Sequence, residues 1–199
     1  MKGSILIKKE DDTQIFKKSL LEDGFFVVRD VLTQDFVKSL QKDLRDIISK
    51  NHEKHGNLGT VIDYTYQTNS FCELIQWDKT LEILKNIGFL DPKFWSGYIV
   101  CKGPQSPKGY WHQDWIYWDN AISAAAIPPQ LFIMYYMVPT TIDNGCLRVI
   151  KGTHRNKIEL HNYTNDGHDG SIITQNTETS LGYQDHSLQI PVGTHKLAP

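Results

Sequence analysis

Apolar residues in the first ninety positions recur mainly at the spacing of amphipathic helices. They form three stripes, made by Phe16, Leu20 and Leu21, by Phe36, Leu40, Leu44 and Ile47, and by Leu81, Leu84 and Ile87. Gly24 is placed to end the first helix in the left-handed conformation, Thr33 to cap the second, and Gly88 to end the third. Phe25–Val28 predicts a short buried strand, whereas the polar stretch 51–60 predicts a loop.

After residue 94, the apolar stretches of the sequence predict mainly strands. Apolar stretches predict strands at Trp95–Lys102, Leu131–Val138, Cys146–Ile150 and Ser187–Val192. Asp143-Asn144-Gly145 predicts a tight turn, and the polar stretch 161–180 predicts an exposed insertion. We therefore predict a single domain, with a mostly helical part over residues 1–94 and a β-rich part over residues 95–199.

Composition narrows the possible partners. The chain has 199 residues, of which 40% are hydrophobic and 22% charged, so it is long and apolar enough to bury a core. A net charge of −2 without a basic block gives no electrostatic reason to expect nucleic acid or an anionic membrane. Three dispersed cysteines argue against a disulfide framework, so the sequence predicts a reducing, cytoplasmic setting.

The stretch around His112 and Asp114 carries the clearest chemistry. If it is a strand, the two side chains point the same way, because alternate residues share a face. An imidazole and a carboxylate supply two ligands of a two-histidine, one-carboxylate site, which suits Fe(II) and leaves positions open for O2 and a chelating cosubstrate. The alternative is that His112 packs among tryptophans and Asp114 caps a turn.

A second motif runs from Asp143 to Arg155. Its residues predict a turn, a strand and a glycine-containing turn that ends at His154. Taken alone, this pattern favours a simple hairpin in which His154 has a structural role and is not a metal ligand.

Together the two segments resemble the phytanoyl-CoA dioxygenase family of Fe(II)/2-oxoglutarate oxygenases. His112-Gln113-Asp114 matches the family's His-x-Asp, and Asn144–His154 matches its Asn-Gly-x-Leu-x-Val-x-x-Gly-[Ser/Thr]-His pattern. Leu21–Val28 is similar to the family's opening, so the resemblance spans about residues 13–155. It implies a mainly β fold with flanking helices (α+β), built on a cupin-like double-stranded β-helix, or jelly roll.

The resemblance also implies roles for individual residues. His112 and Asp114 would be the first two iron ligands, and the intact Asp114 favours hydroxylation over halogenation. Lys102 and Met134 would lie near the 2-oxoglutarate cosubstrate, Met134 standing where family members often have an aromatic residue. The implied partners are a small-molecule substrate and O2.

Two features of the family pattern have no clear counterpart in this sequence. Family members carry a distal histidine as third iron ligand, followed by an arginine that pairs with the far carboxylate of 2-oxoglutarate. No arginine follows Arg155, and the nearest stand-in for the histidine is His195, with Lys196 beside it. The sequence therefore predicts a C-terminally shortened member that lacks the last strands of the roll.

Three functions stay open at this point. The first is an iron- and 2-oxoglutarate-dependent hydroxylase that forms succinate and CO2, with the aromatic residues of 110–118 lining its substrate entrance. The second is a catalytically inactive jelly-roll binding module, or a fragment of such an oxygenase. The third is a cupin-like isomerase or hydrolase that uses another divalent metal. The substrate and the oligomeric state cannot be predicted from this sequence.

Overall fold

The computed structural model describes residues 11–50, 60–63, 68–103, 111–112, 120–162 and 187–192. The helices in these ranges are α1 (Asp11–Glu22), α2 (Gln34–Lys50), α3 (Asn69–Ile75) and α4 (Asp78–Ile87). The strands are β1 (Thr60–Asp63), β2 (Tyr98–Cys101), β3 (Leu147–Val149) and β4 (Leu188–Ile190). Two short 3-10 helices cover Ala121–Ala124 and Glu159–Asn162.

The three predicted helices are confirmed as α1, α2 and α4. The backbone N–H of Phe36 donates to Thr33 Oγ1 at 3.3 Å, which satisfies one of the free donors at the start of α2. Gly24 and Gly88 follow their helices with φ of +89° and +117°, the left-handed conformation predicted for a helix stop. Leu81 is exposed, although it belongs to the third apolar stripe.

The core lies where α2, α3 and β2 meet. Its buried side chains are those of Phe36, Leu40, Phe71, Leu74 and Ile99. Trp77 extends it by stacking on the ring of Phe36, with centroids 4.5 Å apart. The Trp77 indole N–H donates to the carbonyl of Val31 at 2.9 Å, so the ring is half-buried without losing its hydrogen bond.

Two antiparallel sheets of two strands each are described. β1 pairs with β2 from Thr60 opposite Cys101 to Asp63 opposite Tyr98, and β1 was not predicted, since Thr60 was assigned to a loop. β3 pairs with β4, and an isolated bridge between Thr140 and Val192 extends this contact. The second sheet confirms the strands predicted near Leu147 and Leu188.

Two predicted strands are wrong. Phe25–Val28 has no strand pairing among the described residues and is only half-buried. Leu131–Val138 is irregular, and much of it is exposed, including Phe132, Met134 and Val138. An apolar run becomes a buried strand only where a neighbouring strand pairs with its backbone, and no described strand does so here.

Leu131–Val138 is instead attached to the helices through individual side chains and carbonyls. The Tyr135 hydroxyl donates to Thr80 Oγ1 of α4 at 2.8 Å. The side-chain amide of Gln41 in α2 donates to the Met137 carbonyl at 2.5 Å. These contacts hold the segment against the core without a sheet.

The strand near Trp95 is shorter than predicted. β2 begins at Tyr98, and Trp95 lies outside it with 89% of its side chain exposed.

Most of the predicted insertion 161–180 lies outside the described residues. Helices and short strands are present in the described ranges, while the jelly roll and the single domain stay predictions. No helix within those ranges has the length and apolarity to cross a membrane.

Candidate functional site

The structure describes one half of the predicted iron-ligand pair. His112 lies in the described pair Trp111–His112, and its side chain is exposed. Trp111 is half-buried, with the guanidinium carbon of Arg148 lying 5.0 Å from the centroid of its ring. Asp114 lies outside the described residues, as do Tyr110 and 115–118, His195 and Lys196. The pairing of His112 with Asp114 stays a prediction.

The two residues predicted to lie near the cosubstrate are both described. Lys102 directly follows β2, and its side chain is exposed. Met134 lies in the irregular Leu131–Val138 segment with 55% of its side chain exposed. Their predicted roles stay untested by these positions.

The two side chains of the His-x-Asp motif are of types that bind iron. Imidazole and carboxylate are ligands that Fe(II) accepts, and the exposed ring of His112 is open to solution. Within the described ranges, no group of three or more histidine, cysteine, aspartate or glutamate side chains converges to hold a metal ion. Within the part of the chain that the structure describes, His112 is therefore the predicted ligand whose position can be given.

The Asn-Gly part of the second motif forms the predicted tight turn. The side-chain oxygen of Asn144 accepts from the backbone N–H of Thr141 at 2.6 Å. Its side-chain amide donates to the Pro139 carbonyl at 3.2 Å, and its backbone N–H donates to Thr141 Oγ1 at 3.2 Å. Gly145 follows with φ of +86°, a conformation that favours glycine. This turn directs the chain into β3.

The Gly-Thr-His part of the same motif packs on the end of α1. The backbone N–H of Gly152 donates to the Asp23 carbonyl at 2.9 Å, and Lys151 Nζ lies 2.9 Å from the Asp23 carboxylate. A Cβ atom on Gly24 would lie 2.6 Å from His154 Nδ1. The glycine of the Asp-Gly opening is thus required for close contact with the histidine of the second motif. We call this contact, made by Asp23, Gly24 and 151–154, the α1 junction.

His154 has a structural role in the α1 junction, as predicted from the residues. Its Nε2 lies 3.2 Å from the Leu21 carbonyl oxygen, which can only accept, so Nε2 carries the proton. Its Nδ1 is buried and has no hydrogen-bond partner among the described residues. Both nitrogens therefore face the end of α1.

Burial lowers the pKa of His154 below its ordinary value of 6.5. The Leu21 carbonyl raises this pKa, the Arg155 guanidinium lowers it, and the Asp23 carboxylate raises it, but burial has the largest effect. The neutral imidazole is therefore the form that suits the junction. Protonation would place a second N–H donor at a buried position that offers it no acceptor among the described residues.

His161 is more buried than the sequence suggested, and its ring is hydrogen-bonded. It begins the stretch 161–180 that was predicted to be exposed, but it is half-buried and its ring bonds to the backbone at both nitrogens. The Ile158 N–H donates to Nδ1 at 3.0 Å, and Nε2 lies 3.2 Å from the Thr153 carbonyl. His161 therefore supports the turn that carries His154, and the expectation was wrong because backbone groups of Ile158 and of the more distant Thr153 bind its ring.

Arg148 is the functional candidate that the sequence analysis missed. It lies in β3, its guanidinium covers the ring of Trp111, and its Nε donates to Ser187 Oγ at 3.0 Å. The available signal was a charged residue in the middle of an otherwise apolar strand segment. Such a residue needs a partner, because a half-buried charge without one is costly.

Comparison with known proteins agrees with this arrangement of motifs. The model of the phytanoyl-CoA dioxygenase (PhyH) family matches residues 20–186. The iron/alpha-ketoglutarate-dependent dioxygenase ausU of Aspergillus calidoustus is 22% identical over 165 residues, which cover 73% of this chain and 54% of that protein. The chain thus spans about half the length of this curated relative. No solved structure matches it. Since the family model covers most of the sequence, including both motifs, the chain belongs to the phytanoyl-CoA dioxygenase family.

Proposed function

We propose that the chain acts as an Fe(II)- and 2-oxoglutarate-dependent oxygenase that hydroxylates a small organic substrate. The observation that carries the proposal is the family match over residues 20–186, which includes His112, Asp114 and the α1 junction. Membership of the family implies Fe(II) as the metal and 2-oxoglutarate as the cosubstrate, as the sequence predicted.

His112 and Asp114 are the proposed iron ligands. The exposed imidazole of His112 can reach a metal ion from solution, and the Asp114 carboxylate follows two residues later. When bound there, the iron supplies the redox chemistry by which O2 and 2-oxoglutarate convert a C–H bond to an alcohol, with release of succinate and CO2. The chain contributes the position of the ligands and the surface on which the substrate rests.

Lys102 and Met134 are proposed to contact the cosubstrate. The exposed ammonium group of Lys102 can attract a carboxylate of 2-oxoglutarate, although a lysine provides a point charge and not the two-pronged contact of an arginine. Met134 offers a flexible apolar side chain in the place of the family's aromatic residue. We expect Lys102→Met to raise the 2-oxoglutarate concentration needed for half-saturation several-fold and to leave Fe(II) affinity unchanged.

The proposal is tested by anaerobic titration of the 199-residue chain with Fe(II) and 2-oxoglutarate. We expect the visible charge-transfer band of the metal-cosubstrate chelate in the wild-type protein and its loss in His112→Ala and Asp114→Ala. Asp91→Ala is the matched control, because Asp91 is 80% exposed and contacts the equally exposed Lys93. This control should keep the full band.

Two results would contradict the proposal in different ways. Absence of the band in wild-type protein whose circular dichroism shows a folded chain would favour the inactive binding module. A band that survives in His112→Ala would leave the cosubstrate site in place but would show that His112 is not an iron ligand.

A further inference from the structure

Arg148 connects three parts of the chain that are distant in sequence. It belongs to β3, where it lies opposite Gln189 of β4. Its guanidinium carbon is 5.0 Å from the ring centroid of Trp111, and its Nε donates to Ser187 Oγ at 3.0 Å. We call Arg148, Trp111 and Ser187 the arginine clamp. The clamp therefore ties the Trp111–His112 segment to the β3–β4 sheet.

The chemistry of the guanidinium group explains why an arginine makes this connection. A guanidinium is planar, so its face can lie over an aromatic ring while the N–H groups at its edge donate hydrogen bonds. A lysine ammonium group has no such face. Arg148, Trp111 and Ser187 are all half-buried, and a cation over a ring is held more strongly when water is partly excluded.

The position of Trp111 gives the clamp a consequence for the predicted metal ligand. Trp111 is joined to His112 by one planar peptide bond, so fixing the indole restricts the backbone from which the imidazole extends. Metal sites depend on such support, because ligands must be held within about 0.5 Å of the productive geometry. His112 itself is exposed, which leaves its ring accessible while its backbone neighbour is anchored.

We propose that Arg148 is a positioning residue for the iron site. Through the face of Trp111 and the hydroxyl of Ser187, it holds the Trp111–His112 backbone in the orientation in which His112 binds Fe(II). This inference rests on the proposed function, because it assumes that His112 is an iron ligand.

Arg155 provides a matched control. It directly follows the family motif that contains Arg148, yet its guanidinium donates to the carbonyls of Ala125 and Ala126 at 3.3 and 3.0 Å. Its side chain is exposed, and these two hydrogen bonds go to a different segment from that of Trp111. Removing either guanidinium changes the net charge equally, so a difference in Fe(II) affinity between the two variants cannot come from net charge.

The test is the Fe(II) affinity of the full chain, measured anaerobically by competition with a chromophoric chelator. We expect Arg148→Met and Trp111→Leu each to weaken Fe(II) binding by about tenfold to a hundredfold, the usual effect of losing a residue that supports a ligand. The double variant should be no weaker than either single variant. Arg155→Met should stay within about twofold of wild type.

Conservative variants distinguish a role of Arg148 in positioning His112 from a role in folding of the chain. Trp111→Phe keeps an aromatic face and should retain most of the Fe(II) affinity, whereas Arg148→Lys keeps the charge and should lose most of it. If Arg148→Met does not fold, these two variants and Trp111→Leu still decide the matter. Equal affinities for wild type, Arg148→Lys and Trp111→Leu would overturn the inference.

Failure of the inference and failure of the proposed function give different results. If wild-type protein binds Fe(II) through His112 and the Arg148 variants bind it equally well, only the positioning role is wrong. If wild-type protein shows no Fe(II) binding that depends on His112, the proposed function fails and the role of Arg148 at the iron site fails with it.

Discussion

The α1 junction and the Trp111–His112 segment each contain a histidine of a family motif, in opposite surroundings. His154 lies against Gly24 with Nδ1 buried, and its Nε2 donates to the Leu21 carbonyl. His112 is exposed, and its neighbour Trp111 lies under the guanidinium of Arg148. The comparison shows that one motif histidine joins elements of the fold, while the other is exposed beside an anchored tryptophan.

The two regions should therefore respond differently to substitution. Changes at the α1 junction should lower the free energy of unfolding, because they disturb packed atoms. Changes at His112 should alter metal binding while leaving stability nearly unchanged, because an exposed side chain contributes little to packing. Each prediction below concerns one contact of the α1 junction.

The largest effect is expected for Gly24→Ala. A residue with a Cβ atom pays about 1–2 kcal/mol in the left-handed conformation, and here the Cβ would also lie 2.6 Å from His154 Nδ1. Relieving that overlap costs a further 1–3 kcal/mol or so, which gives a total of about 3 kcal/mol. Urea denaturation followed by circular dichroism measures this loss.

Gly145→Ala is the control for the glycine prediction. Gly145 has φ of +86°, close to the +89° of Gly24, but a Cβ atom there would meet nothing within 4 Å. Its substitution should cost only the conformational penalty of about 1–2 kcal/mol. Equal losses for the two variants would mean that the contact with His154 is not tight in solution.

Sequence alone correctly predicted the helices whose ends are set by residues close to them in the chain. The Thr33 cap and the Gly88 stop lie within one turn of the helix they bound, so α2 and α4 were predicted correctly. The strand prediction for Leu131–Val138 was wrong because the conformation of this segment depends on distant residues. Tyr135 bonds to Thr80, and the Met137 carbonyl bonds to Gln41. Periodicity contains no information about such partners.

The residues of the candidate site also differ in whether sequence alone could predict them. His112 could be predicted as a ligand because its motif is short and continuous in sequence, and the structure describes it with an exposed side chain. Arg148 was missed because its partners, Trp111 and Ser187, are separated from it by long stretches of chain. Sequence predicts the group that would touch the metal, and tertiary structure is needed to find what holds that group.

The second prediction concerns pH and His154. The pKa of His154 is lowered in the folded protein, so between that lowered value and 6.5 the unfolded chain binds more protons than the folded one. Stability should be fully present above about pH 7.5, fall as the pH drops through the region below 6.5, and level off below the folded pKa.

His154→Gln isolates this effect. The glutamine amide can still donate to the Leu21 carbonyl but does not titrate, so the variant should show a smaller difference in urea midpoint between about pH 7.5 and pH 5.5. Most carboxylates titrate below this range, near pH 4, and add little to the difference. An identical pH dependence in wild type and variant would show that His154 is not kept neutral by the junction.

The smallest effect is expected for Lys151→Met. Lys151 Nζ lies 2.9 Å from the Asp23 carboxylate, but the two side chains are 51% and 32% exposed, so water and salt screen the attraction. We expect a loss of about 0.5 kcal/mol at low ionic strength that shrinks in about 0.5 M salt. Lys93→Met, which breaks the 80%-exposed pair with Asp91, should change the urea midpoint still less. A loss for Lys151→Met larger than that for Gly24→Ala would reverse the order of these predictions, because the charge pair would then hold the junction more firmly than the packing of His154 on Gly24.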